Sequence, residues 1–196
     1  MPTRGTPMTA TAAEKRARLV QIVKERSFQE GPEMKLASGK TSTFYFNMKP
    51  TMLHPEGASL IAELMLDAIA DVEADLVGGL EMGAVPIASA IAAVSHVQGR
   101  PVAAFFVRKQ AKEHGTQSLV EGLVRGDTMK DKRVVIVEDV TTTGGSALKA
   151  AKALEAEGAT IVRVLTIVDR LDGAAEAFRD AGLNFVPILT LNDFRS

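Results

Sequence analysis

The feature that most limits the fold is the alternation of short apolar segments with amphipathic ones along most of the chain. The clearest segment, 133–138, contains four consecutive Val or Ile residues, and 160–168 is a second strongly apolar run. Such runs are typical of strands covered on both faces, since a strand with one face in water alternates polar and apolar residues. The alternation therefore predicts an α/β fold with a central, mostly parallel sheet flanked by helices.

Hydrophobic periodicity and turn residues give the remaining elements. Helices are predicted at 13–26, from Pro55 onward, and at 85–97, 146–157 and 174–180; further strands at 44–46, 75–80, 102–107 and 185–189. The segment 31–43 is predicted to be rich in turns. In parallel sheets, ligands bind beyond the carboxyl ends of the strands, so the loops after Leu80, Val107, Glu138 and Val168 are the first places to search for a site.

Charge and composition exclude several classes of function. The 196 residues include 23 Lys or Arg and 24 Asp or Glu, which gives a net charge of −1, and there is no cysteine. Disulfides, thiolate metal sites and a cysteine nucleophile are therefore excluded, and neither nucleic acid nor a membrane surface is an expected partner. Residues 1–12 lack the apolar core of a signal peptide, so we expect a disordered tail on a cytoplasmic protein, followed by one domain at 13–196.

The strongest chemical signal follows the apolar strand 133–138. Two acids, Glu138 and Asp139, come before a turn rich in threonine and glycine, and a helix begins near Ser146. Free N–H groups at a helix start bind phosphate, whereas carboxylates repel it and suit ribose hydroxyls or hydrated magnesium instead. The alternative is an ordinary turn in which Thr143 or Ser146 caps the helix. Neither a P-loop nor a dinucleotide-binding glycine pattern is present.

A second cluster follows the predicted strand 102–107. Arg108, Lys109, Lys112 and His114 lie within seven residues and are followed by Gly115. Preorganised cations of this kind stabilise a leaving diphosphate, and the glycine would let the loop open and close. The alternative is a solvated charged turn.

Both clusters resemble one family. The segment VVIVEDVTTTGGS is similar to the phosphoribosyl pyrophosphate (PRPP) motif of type I phosphoribosyltransferases, and R-K-x-x-K-x-H-G resembles the catalytic loop of the orotate phosphoribosyltransferases. The resemblance implies the type I phosphoribosyltransferase fold, with a small N-terminal hood at about 13–50, a core at about 51–196 and a flexible catalytic loop. It also implies magnesium-dependent transfer of phosphoribosyl from PRPP to orotate, giving orotidine 5′-monophosphate and diphosphate in pyrimidine synthesis.

The resemblance assigns roles to individual residues. It implies catalytic roles for Lys109, Lys112, His114 and Asp139. PRPP would be bound by Arg108, Lys109, Lys112, His114, Glu138, Asp139, Val140, Thr141, Thr142, Thr143, Gly144, Gly145 and Ser146. Orotate would be bound by Thr142, Arg170 and Phe46. Magnesium would be carried by PRPP, with contacts to Glu138 and Asp139 through water at most.

The family loop also implies a homodimer. Arg108, Lys112 and His114 would complete the neighbouring subunit's site, while Lys109 would act in its own.

Alternatives remain for single residues and for the whole chain. The aromatic residues near Phe46 suit a core strand as well as a base contact, and Arg170 suits a salt bridge.

A lysine common in the family is replaced by Ala37, and Lys35, Lys40 and Lys49 are the candidates to supply its charge. A Tyr-Lys pair that contacts diphosphate is replaced by Met82 and Gly83.

Two rival functions follow for the whole chain. One is a phosphoribosyltransferase for another base. The other is a regulator that lost catalysis and binds nucleic acid, which the net charge disfavours.

Overall fold

The computed structural model describes residues 10–35, 41–110 and 119–195. Six α-helices lie in this part of the chain: α1 (Ala12–Arg26), α2 (Lys49–Met52), α3 (Pro55–Asp67), α4 (Ala84–Val97), α5 (Gly145–Ala156) and α6 (Ala174–Asp180). Eight strands accompany them: β1 (Phe28–Lys35), β2 (Thr41–Phe46), β3 (Leu76–Leu80), β4 (Ala103–Val107), β5 (Val120–Glu121), β6 (Arg133–Thr141), β7 (Thr160–Asp169) and β8 (Phe185–Thr190).

The central sheet has the strand order β5-β4-β3-β6-β7-β8. All neighbours pair in parallel except the short edge strand β5, which pairs antiparallel with β4. The prediction of a mostly parallel α/β sheet is therefore confirmed. Parallel pairing brings the carboxyl ends of β3, β4, β6 and β7 to one edge, and the candidate site lies at this edge.

Strand β6 shows why an unbroken apolar run was needed. Val135 and Val137 pack in the cluster that includes α1, α3 and α4, whereas Val134 and Ile136 pack in the cluster that includes α5 and α6. All four side chains are fully buried. Since successive residues of a strand point to opposite faces, helices cover the sheet on both sides.

A separate antiparallel hairpin of β1 and β2 corrects the prediction of a turn-rich segment at 31–43. Phe28 pairs with Phe46, and the register shifts between Glu30 and Met34. Proline is tolerated in strands at such irregularities, so Pro32 did not prevent strand formation. The division of the chain into hood and core remains a prediction.

No helix in the described ranges has both the length and the apolar character needed to span a membrane.

Candidate active site

A cleft of about 380 Å³ lies at the carboxyl edge of the sheet. The loops that follow β3 and β4 meet there with the acids near the end of β6, the first turn of α5 and the short helix α2. The lining residues are Lys49, Met52, Leu53, Leu80, Glu81, Met82, Gly83, Pro86, Lys109, Glu138, Asp139 and Ser146. The structure thus brings together three of the four loops that the parallel sheet singled out.

The acidic pair forms part of this lining. Strand β6 continues through both acids to Thr141, so their side chains are held by the sheet rather than by a free loop. Glu138 is only 9% exposed, and its Oε2 makes no hydrogen bond with the described residues. Burial, and secondarily the neighbouring Asp139 carboxylate, raises the pKa of Glu138 to about 8. A buried carboxyl group without a hydrogen-bond partner can form a hydrogen bond with a ligand hydroxyl group or contact a cation.

Gly83 allows the acidic pair to lie against the loop after β3. A Cβ atom at position 83 would lie 2.7 Å from Asp139 Oδ1 and 3.2 Å from Glu138 Oε1, so a side chain there would displace the acids. Asp139 Oδ1 also accepts a hydrogen bond of 2.9 Å from the Val140 N–H. Sequence reasoning treated Gly83 only as a missing lysine contact and did not find this packing requirement.

The Thr/Gly turn after β6 encloses a small recess of about 30 Å³ beside the cleft. Its lining residues are Glu138, Val140, Thr141, Thr142, Gly144, Gly145, Ser146 and Ala147. Gly144 occupies the N-cap position of α5 with a φ of +79°, and no side chain caps the helix. The alternative in which Thr143 or Ser146 is the N-cap is therefore wrong, and the first N–H groups of α5 stay free of side-chain caps.

The start of the basic loop is held from two sides. The Lys109 N–H donates a 2.9 Å hydrogen bond to Glu81 Oε1, and the Glu81 N–H donates to the Val107 carbonyl at 2.8 Å. The Arg108 N–H donates to the Leu119 carbonyl, and its guanidinium lies 3.6 Å from the Glu121 carboxylate. Lys109 lines the cleft.

The other two basic-loop residues, Lys112 and His114, lie outside the described part of the chain.

Arg170 lies at the end of β7 and joins it to the hairpin. It is buried, donates to Ser42 Oγ at 3.3 Å, and lies 4.6 Å above the centre of the Phe44 ring. Its Nε is 3.2 Å from Asp172 Oδ2, so the salt bridge considered for this arginine is present. Arg170 is not among the residues lining the cleft or the recess.

Phe46 is placed in the core rather than on the cleft. It is 5% exposed and packs against Phe28 and Phe194, with ring centroids 4.9 and 5.0 Å apart. This position favours the packing alternative, and an orotate contact through Phe46 stays a prediction.

Lys49 is a cleft residue that sequence reasoning left as one of three alternatives. It begins α2, is exposed, and lines the cleft with Met52 and Leu53. Helix α2 has only four residues, so no periodic pattern predicted it. Lys40 lies outside the described residues, and the side chain of Lys35 is not described.

The donor set in the cleft suits a metal ion only as part of a larger ligand. No group of three or more His, Cys, Asp or Glu side chains within the described ranges could hold an ion. Glu138 and Asp139 nevertheless offer the carboxylate oxygens that Mg²⁺ prefers, and Mg²⁺ keeps several waters and uses substrate phosphates. The pair therefore fits an ion that arrives with a phosphorylated substrate.

Comparisons with known proteins agree with this geometry. The family model of the phosphoribosyl transferase domain matches residues 51–181. Orotate phosphoribosyltransferase of Rhodopseudomonas palustris (strain BisB5) is 58% identical over 179 residues, 91% of this chain and 95% of the relative. The protein of that name from Sorangium cellulosum (strain So ce56) is 45% identical over 191 residues, 95% of this chain and 96% of the relative.

Solved structures give the same result. The crystal structure of Mycobacterium tuberculosis orotate phosphoribosyltransferase in complex with PRPP is similar, with a TM-score of 0.74 and 38% identity. The match covers 91% of this chain and 98% of that one.

Proposed function

The chain belongs to the orotate phosphoribosyltransferase family, and we propose that it transfers the phosphoribosyl group of PRPP to orotate, releasing diphosphate and forming orotidine 5′-monophosphate for pyrimidine synthesis. The observation that carries the proposal is the meeting of the acidic pair and Lys109 in one cleft, with the glycine-capped turn in the recess beside it. The related protein crystallised with PRPP supports the choice of phosphoribosyl donor. The names of the relatives support the choice of orotate.

The acidic pair would hold the ribose. Among the described residues, Oε2 of Glu138 is buried and has no hydrogen-bond partner. The ribose hydroxyls at C2 and C3 can donate hydrogen bonds to carboxylate oxygens. Asp139 is held against Gly83 and the Val140 N–H, so its position is set before the sugar arrives. Such preorganisation reduces the entropy cost of fixing the reacting carbon.

The turn after β6 would bind the 5-phosphate. Gly144 starts α5 without a side-chain cap, so free N–H groups and the positive end of the helix dipole are available to an anion. The contacts would come from Val140, Thr141, Thr142, Thr143, Gly144, Gly145 and Ser146. The buried Thr141 Oγ1 makes no hydrogen bond within the described residues and is one such donor.

The basic loop would stabilise the leaving diphosphate. As the bond between the anomeric carbon and the diphosphate oxygen lengthens, positive charge develops on the ribose and negative charge on the leaving group. Lys109, whose backbone N–H is held by Glu81, would face the second of these charges. Lys112 or His114 would supply a proton, and Arg108, Lys112 and His114 would complete the site of the partner in a homodimer.

Magnesium would be bound by diphosphate and ribose oxygens, with Glu138 and Asp139 contacting its waters. It supplies neutralising charge for the diphosphate. The base would be oriented by Thr142, Arg170 and Phe46. The planar set of N–H donors on an arginine guanidinium matches the carboxylate and carbonyl oxygens of orotate.

The test of the proposal is a spectrophotometric assay with a panel of bases. Orotate absorbance should fall when PRPP and Mg²⁺ are added to the protein, and no turnover is expected with adenine, hypoxanthine or uracil. Unchanged orotate together with turnover of another base would contradict the proposed substrate. Salt-sensitive binding of DNA or RNA without turnover would favour the regulator instead.

A further inference from the structure

Lys49 is the second positively charged side chain that lines the cleft, and it lies in neither the PRPP motif nor the basic loop. The described lining contains three acidic side chains, Glu81, Glu138 and Asp139, and two ammonium groups, Lys49 and Lys109. Glu81 and Asp139 would repel a diphosphate that enters the cleft unless the cations offset their charge. The position of Lys49 therefore affects how strongly the cleft can bind a diphosphate.

The helix that carries Lys49 is firmly anchored. Met48, Thr51 and Met52 are buried, and the Thr51 hydroxyl lies 2.6 Å from the Ser27 hydroxyl. Lys49 itself is exposed and makes no ion pair with any described residue. Its ammonium group is thus available, and the helix below it is held in place.

The loop after β3 cannot supply the same charge. Its residues Glu81, Met82 and Gly83 include no cation, and a side chain at position 83 would collide with Asp139. This part of the lining offers backbone groups, the Met82 side chain and one carboxylate. Cations for it must come from other elements, and Lys49 of α2 is one of the two ammonium groups that line the same cleft.

The residues proposed to bind the base and the 5-phosphate lie outside this cleft or at its edge. None of the proposed base contacts, Thr142, Arg170 and Phe46, lines it, and the Thr/Gly turn for the 5-phosphate lies in the adjacent recess. With the ribose assigned to Glu138 and Asp139, the part of PRPP that remains for the rest of the cleft is the diphosphate. We infer that Lys49 binds the diphosphate of PRPP from the same subunit as Lys109, supplying the charge that position 83 lacks.

This inference rests on the proposed use of PRPP, and direct binding separates the two. Calorimetric titrations with Mg²⁺ would use PRPP, inorganic diphosphate and ribose 5-phosphate as three ligands. For Lys49→Ala we expect the Kd of PRPP and of diphosphate to rise about 10- to 100-fold, the range for a lost hydrogen bond to a charged group. The Kd of ribose 5-phosphate should stay within about two-fold, because that ligand lacks the diphosphate.

Control variants exclude effects on folding and on overall charge. Lys49→Arg should keep most of the PRPP affinity, and Lys152→Ala, which removes an exposed lysine of α5 outside the cleft, should change none of the three Kd values. Thermal unfolding checks each variant, and Lys49→Gln replaces Lys49→Ala if the latter unfolds.

Equal weakening of ribose 5-phosphate, or unchanged diphosphate binding, would overturn the assignment. A weaker Kd for orotate with unchanged PRPP would do so as well. Wild-type protein that binds PRPP but does not consume orotate would contradict only the proposed base, whereas wild-type protein that does not bind PRPP would contradict both.

Discussion

The environment of Glu138 raises the pKa of its carboxyl group well above the ordinary value. Its carboxyl group is buried beside Asp139, and the pKa is raised from about 4.5 to about 8. In the ligand-free protein the group is therefore protonated at neutral pH, while in the unfolded chain it is ionised. The raised pKa makes folding less favourable as the pH rises from 4.5 to 8, since the unfolded state releases the proton first.

Replacement of Glu138 by glutamine should remove this pH dependence. In urea unfolding of the ligand-free protein between pH 5 and pH 8, the free energy of unfolding of the wild type should fall relative to that of Glu138→Gln by up to about 1.4 kcal/mol per pH unit. Titrating groups that do not interact with Glu138 are shared and cancel in the difference. A difference that does not vary with pH would contradict the raised pKa.

Gly83 tests the close packing of the acidic pair. Gly83→Ala would place a methyl group 2.7 Å from Asp139 Oδ1, so we expect kcat/KM to fall about 100-fold or more through displaced carboxylates. Gly31→Ala is the matched control, because nothing lies within 4 Å of the added Cβ atom. Steady-state kinetics of both variants measure the effect, and equal activity of the two would contradict the packing requirement.

At the scale of elements, the loops after β3 and β4 are linked by one side chain. Glu81 receives the Lys109 N–H and donates its own N–H to Val107, so the first residues of the basic loop are held to the end of β3. This hydrogen bond lies between residues 28 positions apart, and no sequence spacing predicted it. Glu81 is thus a positioning residue for Lys109.

Removal of the Glu81 carboxylate should lower kcat more than it raises KM, because Lys109 acts on charge that develops in the transition state. For Glu81→Ala we expect kcat to fall about 10-fold, while Glu81→Gln, whose amide oxygen still accepts the hydrogen bond, should recover most of it. Glu155→Ala, at an exposed position of α5, is the control. Identical losses in the Ala and Gln variants would argue against a positioning role.

Elements differ in how well the sequence predicted them. The strands β6 and β7 were predicted because a strand that is buried on both faces has a continuous run of apolar residues. The helices α3 and α5 were predicted from hydrophobic periodicity and turn residues. Strand β1 and helix α2 were missed: β1 forms through pairing with β2 and through the Phe28, Phe46 and Phe194 contacts, and α2 is one turn long. Both depend on tertiary contacts that local sequence does not encode.

For the whole molecule, the parallel sheet made the site predictable at the level of loops. Glu81, Lys109 and Glu138 are far apart in sequence, yet the carboxyl ends of β3, β4 and β6 bring them to one cleft. The acidic pair and the Thr/Gly turn were predicted from their spacing. The sequence left Lys49 as one of three candidates, because its place depends on the packing of α2. It did not predict the role of Gly83, which depends on a distance between the loop after β3 and strand β6.

The proposed sharing of the basic loop between subunits has its own test. A Lys112→Ala subunit and an Asp139→Asn subunit each lack a different half of one site, so a mixed dimer would contain one intact site. Each homodimer should be nearly inactive, and mixing should restore up to about one quarter of wild-type activity per total site after random exchange. Mixed dimers shown to form by mass spectrometry but lacking activity would contradict catalysis across the interface.

Product analysis tests the central claim most directly. Protein, Mg²⁺, PRPP and orotate should yield one orotidine 5′-monophosphate and one diphosphate for each orotate consumed, as measured by chromatography with mass detection. The Asp139→Asn protein should give little of either product. Diphosphate release without orotidine 5′-monophosphate, or a nucleotide formed only from another base, would contradict the account.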